Sequence, residues 1–178
     1  MKTFEFSVIA SGLDPSADDF EARFYENGCD DALVSFQRGH IIIDVARDAE
    51  TMGEAVSSAL ENVAATGARI DRVEPDPLVS LADIAKRAEM SRAAITNYHK
   101  GDRGEGFPAP VARVTSGSPL WDWASVAKWL VFNDRLDRSV AIEAETVRQA
   151  NCAVESGADK IGPMLKQRVA EYEAELRQ

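Results

Sequence analysis

The chain opens on "TFEFSVIASG", where Phe4, Phe6 and Val8 alternate with other positions at the period of two that a strand with one buried face requires. After the turn "GLDPS", "ADDFEARFYENG" sets Phe20 and Phe24 four residues apart, a helical spacing that ends at Gly28. "ALVSFQ" and "HIIIDVA" flank "RG", which predicts a hairpin with that dipeptide as its turn. "TMGEAVSSALENVAATG" returns to the helical period, with Val56, Leu60 and Val63 on one stripe, and "ARIDRVEPD" closes as a short strand. The order predicted is β-α-β-β-α-β.

Right-handed crossovers would draw these four strands into one antiparallel sheet with both helices on one face, the ferredoxin-like arrangement, over residues 1–74. In "EPDPLVS", Pro75 and Pro77 favour extended backbone and end any preceding element, so residues 75–79 are expected as a linker. After Leu130, "LDRSVAIEAETVRQANCAVES" and "IGPMLKQRVAEYEAELRQ" are helical in propensity and broken at "SGADKIGP". Leu165, Val169, Tyr172 and Leu176 form an apolar stripe, too short for a coiled coil and suited to packing on the chain itself or on a second copy. The fold class expected is α+β, with residues 132–178 as C-terminal helices.

Between these parts lies "ADIAKRAEMSRAAITNYHKGDRG", two short helical patterns meeting at a tight turn. Ser80, with Asp83 three residues on, is a capping arrangement that starts the first helix. Leu81, Ile84, Ala85 and Ala88 make its inner face, and Lys86 and Arg87 are expected to face solvent. Ser91 caps the second helix, in which Ala94, Ile95 and Tyr98 point inward. Arg92, Ala93, Thr96, Asn97 and Lys100 are left on its outer face. Ala85 and Ala94 are small where two steeply crossing helices approach, and an outer face without bulk suits a helix that enters a major groove.

The pattern "DIAKRAEMSRAAITNYHKG" resembles a bacterial helix-turn-helix, with Ile84, Ala85, Ala88, Met90, Ser91, Ala94, Ile95 and Thr96 at that motif's characteristic positions. "GFPAPVARVTSGSPLWDWASVAKWL" extends the likeness to the winged helix of the MerR and AlpA-like excisionase group, over residues 79 to 131. The resemblance implies a β-hairpin wing entered through Phe107-Pro108-Ala109-Pro110, tipped by "TSGS", with Trp121, Val126, Trp129 and Leu130 docking back on the first two helices. Glu89 departs from it, standing where the motif carries Gly in a left-handed turn. A winged helix-turn-helix over 80–131 implies double-stranded DNA as partner. Arg92 would contact guanine, Asn97 adenine or phosphate, and Thr96 a thymine methyl or phosphate. Ser91 and Ala93 would lie beside them at the groove-facing end of the helix. Lys86, Arg87, Lys100 and Arg103 would hold backbone, and Arg113 in the wing would reach the minor groove or phosphates. A single such unit covers few base pairs, so a homodimer on two half-sites is expected.

A net charge of -10 sits awkwardly with phosphate binding until it is mapped. Residues 1–77 hold 6 Lys and Arg against 16 Asp and Glu, residues 78–130 hold 7 against 5, and residues 131–178 hold 7 against 9. The helix-turn-helix therefore lies in the net-basic part, although repulsion from the acidic part persists within a Debye length of about 8–10 Å. Those acids suit a solvated face; dimerisation edge to edge, a small effector bound as in ACT-type domains, or a docked partner protein remain open for this unit. The leading function is a DNA-binding regulator of transcription, a repressor of a small operon. Its alternative is an interaction module or antitoxin whose acidic domain binds a protein.

Other chemistry finds little support. His40 and His99 fall in different predicted domains, and Gly-rich phosphate loops, Ser/His/Asp sets and HExxH are missing, so no catalytic residue is expected. Cys29 and Cys152 lie far apart without metal-ligand spacing, which predicts reduced, mostly buried thiols, no metal and no cofactor. No apolar run approaches the roughly 20 residues of a membrane span, and "MKTFEFSVIA" lacks a signal peptide's apolar core, so a cytoplasmic protein without a membrane partner is expected.

Overall fold

The computed structural model describes residues 1–157 and 161–178. Among these, the chain is α+β, and it divides into two compact units: Met1–Pro75 with Thr146–Glu171, and Asp76–Glu145 with Tyr172–Gln178.

The first unit begins β1 (Lys2–Ser11), α1 (Phe20–Glu26), β2 (Ala32–Gln37), β3 (His40–Ala49), α2 (Met52–Ala65) and β4 (Arg69–Glu74). Its four strands form one sheet in the order β2-β3-β1-β4, antiparallel throughout. The β2–β3 turn is Arg38-Gly39, both at positive φ (52° and 81°), the two-residue geometry that matches the twist of the paired strands. Register sets Phe6 opposite Val45 and Val8 opposite Ile43, so the alternating apolar positions of both strands share one face. On α2, Val56, Leu60 and Val63 are fully buried, and the helix packs on the sheet, started by Thr51, whose hydroxyl accepts from the Glu54 amide at 3.2 Å. Phe20 and Phe24 meet edge to face at 5.5 Å.

Arg47 occupies the next inward position of β3 after Ile41, Ile43 and Val45. Its guanidinium donates to both Asp31 carboxylate oxygens (2.7 and 2.9 Å), Ser58 Oγ (2.9 Å), Asn62 Oδ1 (2.9 Å) and the Gly28 carbonyl (2.8 Å). Five bonds use every donor that an arginine owns. The hydrogen bonds from Arg47 hold the Asp31 carboxyl below its ordinary range. Cys29 is buried beside this cluster, and burial pushes its thiol up; Cys152, expected as mostly buried, is exposed.

The second unit contains β5 (Leu78–Val79), α3 (Leu81–Arg87), α4 (Arg92–Lys100), β6 (Trp121–Asp122) and α5 (Trp123–Phe132). Two longer helices follow, α6 (Arg138–Glu155) and α7 (Ile161–Glu175). Of the stretch expected as C-terminal helices, 132–178, the described residues between Thr146 and Glu171 group with the first unit, and 132–145 and 172–178 with the second. Part of the break expected at "SGADKIGP", residues 158–160, lies outside the described residues. The stripe Leu165, Val169, Tyr172 and Leu176 is buried, the first two in the first unit and the last two in the apolar core of the second. In the first unit, Asn151 on α6 reaches β4: its amide oxygen accepts from Val73 N–H (2.8 Å) and its amide nitrogen donates to Val73 C=O (2.9 Å). One side chain thereby closes part of the sheet's β4 edge as a neighbouring strand would.

Candidate nucleic-acid interface

The frame of the candidate interface is α3 and α4. Ser80 Oγ accepts from the Asp83 amide (3.2 Å) while the Asp83 carboxylate accepts from the Ser80 amide (2.9 Å), a reciprocal cap that fixes where α3 starts. These bonds from Ser80 hold the Asp83 carboxyl below its ordinary range. At the other end, the Met90 amide donates to the Ala85 carbonyl (2.9 Å) and the Glu89 amide to the Lys86 carbonyl (3.3 Å), with Glu89 at φ 52°. This is the Schellman termination, built with a residue that carries a Cβ where glycine is the comfortable choice. The tight turn is thus made despite Glu89. The end of α4 repeats the motif with Gly101 at φ 81°, closed by the Asp102 amide on the Asn97 carbonyl (3.0 Å).

Ile84, Ala85, Ala88, Ile95 and Tyr98 are buried with Trp121, Val126, Ala127 and Leu130 in one apolar core. Arg92, Ala93 and Lys100 are exposed, and Thr96 and Asn97 are half-buried at the margin of the helix. Ser91 is exposed and its Oγ accepts from the Ala94 amide (3.1 Å), so its acceptor role is spent on the cap. Lys86 and Arg103 are exposed as expected.

Arg87 is not. Its guanidinium lies 5.7 Å from the Trp123 ring, and Nη1 is buried with no hydrogen-bond partner among the described residues. Burial lowers its basicity. Trp123, which sequence reasoning passed over, is the reason: the side chain expected in solvent is drawn over an aromatic face.

The segment between α4 and α5 departs from a regular wing. Residues 107–120 form no extended hairpin; the Ala112–Leu120 bridge closes a loop, with the Leu120 amide on the Ala112 carbonyl at 2.9 Å. Pro108, Pro110 and Pro119 lack the amide donors that a longer ladder would use. The strand β6 pairs with β5 instead. The turn itself falls near "TSGS", where Ser116 N and Oγ both donate to the Arg113 carbonyl (3.0 and 2.8 Å). Arg113 is exposed at its start, at φ 53°, with Val111 and Val114 exposed on either side.

Aromatic packing holds the incoming limb. Phe107 meets Trp129 at 5.2 Å, and Trp129 meets Tyr98 of α4 at 5.1 Å. Trp129 Nε1 donates to the Glu105 carbonyl (2.9 Å) and Trp121 Nε1 to the Pro108 carbonyl (3.0 Å). Gly104, at φ 70°, lies so close that an added Cβ would come 3.0 Å from the Trp129 indole. His99 stacks edge-on at 5.0 Å from Trp121.

Among the described residues, no group of three His, Cys, Asp or Glu is placed to hold a metal ion, and no helix is long and apolar enough to cross a membrane. Neither a family model, nor a curated protein, nor a solved structure matches this chain.

Proposed function

We propose that the chain binds double-stranded DNA in a sequence-dependent manner and regulates transcription, as a repressor acting from a homodimer on two half-sites. In this reading, residues 79–131 are a winged helix-turn-helix akin to the MerR and AlpA-like excisionase group, and residues 1–74 are a ferredoxin-like domain. The observation that carries it is the outer face of α4. Arg92, Ala93 and Lys100 stay outside the core of their own unit, on a helix whose start is set by Ser91 and whose approach is set by the left-handed Glu89. Arg92 takes a guanine edge; Asn97 and Thr96 make the neighbouring base or phosphate contacts. Lys86, Lys100, Arg103 and Arg113 hold the backbone. Arg87 plays a lesser part, held over Trp123.

The test selects duplexes from a random library with the full chain, then titrates the enriched sequence against a scrambled one at two salt concentrations. Arg92→Ala should cost about 1–3 kcal/mol, about fivefold to 150-fold in affinity, on the selected duplex and little on the scrambled one. Lys100→Ala should weaken both alike and flatten the salt slope by about one. Failure to enrich any sequence, or an Arg92→Ala titration that overlays the parent, ends the proposal.

A further inference from the structure

The two edges of the four-stranded sheet are treated differently. On β4, Asn151 closes the outward groups of Val73. Among the described residues, β2 pairs with β3 alone. The parity of that pairing follows from the two-residue turn joining Gln37 to His40 and from the Ala46 amide, which donates to the Asp31 carbonyl (3.1 Å). Odd positions of β2 therefore bond to β3, and Val34 and Phe36 turn N–H and C=O outward. The Ala32 amide is already engaged by the Cys29 carbonyl (3.2 Å).

Edge strands are ordinarily blunted by Lys, Pro or a bulge. "ALVSFQ" has none of these. Leu33 is 69% exposed on one face of the sheet and Phe36 47% on the other, the face that carries α1, whose Tyr25 is 68% exposed. Between α1 and β2 runs a groove of ≈ 340 Å³ lined by Tyr25, Cys29, Ala32, Leu33 and Val34, and also by Glu21 and Glu26. Asp30 is exposed just before the strand, and Asp44 stands opposite Leu33 on the same face of the sheet. Nearby cations are spoken for, Arg23 by Asp19 (2.8 Å) and Arg47 by Asp31 (2.7 Å); Arg38 alone lies at the hairpin turn.

We infer that the β2 edge docks an extended, cationic segment of a partner protein, which adds to the sheet as a fifth strand. The outward groups of Val34 and Phe36 supply main-chain bonds; on the α1 side of the sheet the segment's Lys or Arg residues face Glu21 and Glu26 with their stems along Phe36 and Tyr25, and on the other side its alternate apolar residues lie on Leu33. The charge decides the occupant. Residues 1–75 hold 6 Lys and Arg against 15 Asp and Glu, so a second copy would bring one acidic rim against another, and a nucleic acid would meet the same repulsion. The inference does not depend on DNA binding by α4.

The experiment titrates the full chain with a fluorescent peptide of alternating Lys and Val, and follows amide exchange in the complex. The peptide should bind, its N-methylated form and a Glu-Val counterpart should bind at least tenfold more weakly, and the Val34 and Phe36 amides should slow at least tenfold. Leu33→Lys, a change at an exposed position, should weaken binding at least tenfold, and Phe36→Lys should do the same. Absence of binding overturns the inference. So does an oligolysine of equal charge that binds as tightly without amide protection. Sedimentation of the free chain as a dimer that Leu33→Lys dissolves would assign the edge to a second copy and overturn it as well.

Discussion

Glu89 holds a left-handed conformation that costs an L-residue roughly 1–2 kcal/mol relative to glycine. Its side chain is exposed, so replacing it removes little else. Glu89→Gly should therefore stabilise the second unit by about 1 kcal/mol in denaturant melts, whereas Glu89→Val, β-branched at positive φ, should destabilise it. The departure from the helix-turn-helix pattern was visible in the sequence, but its resolution was not. Residue type says what a turn would prefer, and only the Met90 and Glu89 amide bonds say which turn was made. Arg47 gives the converse case. Its inward position follows from the alternation Ile41, Ile43, Val45, yet its four partner residues come from two separate stretches, the loop before β2 and α2, that no local pattern connects. Arg47→Ala should cost roughly 3 kcal/mol, as for a largely enclosed charge pair broken on one side. The hydrogen bonds from Arg47 lower the Asp31 pKa from its ordinary 3.8. Asp31 thus contributes stability that is fully present above that value and is lost as pH falls through the lower folded-state value. Acid melts should show Asp31→Asn less stable than the parent near neutrality and less sensitive to pH below about pH 4.

At the scale of elements, most helices and strands were readable because each carries its own period. The runs around Phe4, Ile41 and Val56 state which face is buried, and the structure buries that face. The loop between α4 and β6 was not readable in the same way. A hairpin announces itself by alternation, and "GFPAPVARVTSGSPL" alternates around prolines that cannot sustain the ladder, so its order rests on side chains instead. Trp129 is the hinge of that order, bonding to the Glu105 carbonyl and standing between Phe107 and Tyr98. Trp129→Phe keeps the aromatic contacts and deletes one hydrogen bond, for an expected loss of about 1 kcal/mol. Trp129→Ala deletes both and should cost about 3 kcal/mol or more. Limited proteolysis separates them: the alanine variant should be nicked within "GDRGEGF" well before the phenylalanine variant. Equal resistance in both would mean the loop is held by something other than Trp129.

At the scale of the whole molecule, the sequence divides at its prolines and sets two pieces before C-terminal helices suited to packing on the chain itself or on a second copy. Composition and breakers mark where the chain turns; they carry no information on which core an amphipathic helix joins. The structure assigns the two halves of that tail differently. Val147, Ala150, Ala153, Leu165 and Val169 are buried in the first unit, where Asn151 also closes the β4 edge. Ala141, Ala144, Tyr172 and Leu176 complete the core of the second, with Lys128 bonded to Glu175 at 2.7 Å. A chain ended after Val131 should thus lose buried apolar surface from both units at once. Each buried Leu or Val side chain is worth about 1.5–3 kcal/mol, against a usual total of about 5–15 kcal/mol for a domain. Truncation should leave neither unit cooperatively folded at room temperature, with weakened near-ultraviolet dichroism from Trp121, Trp123 and Trp129 and strong binding of a hydrophobic dye. A truncated chain that melts as sharply as the parent would mean that the helices are accessories and that each unit's core closes without them.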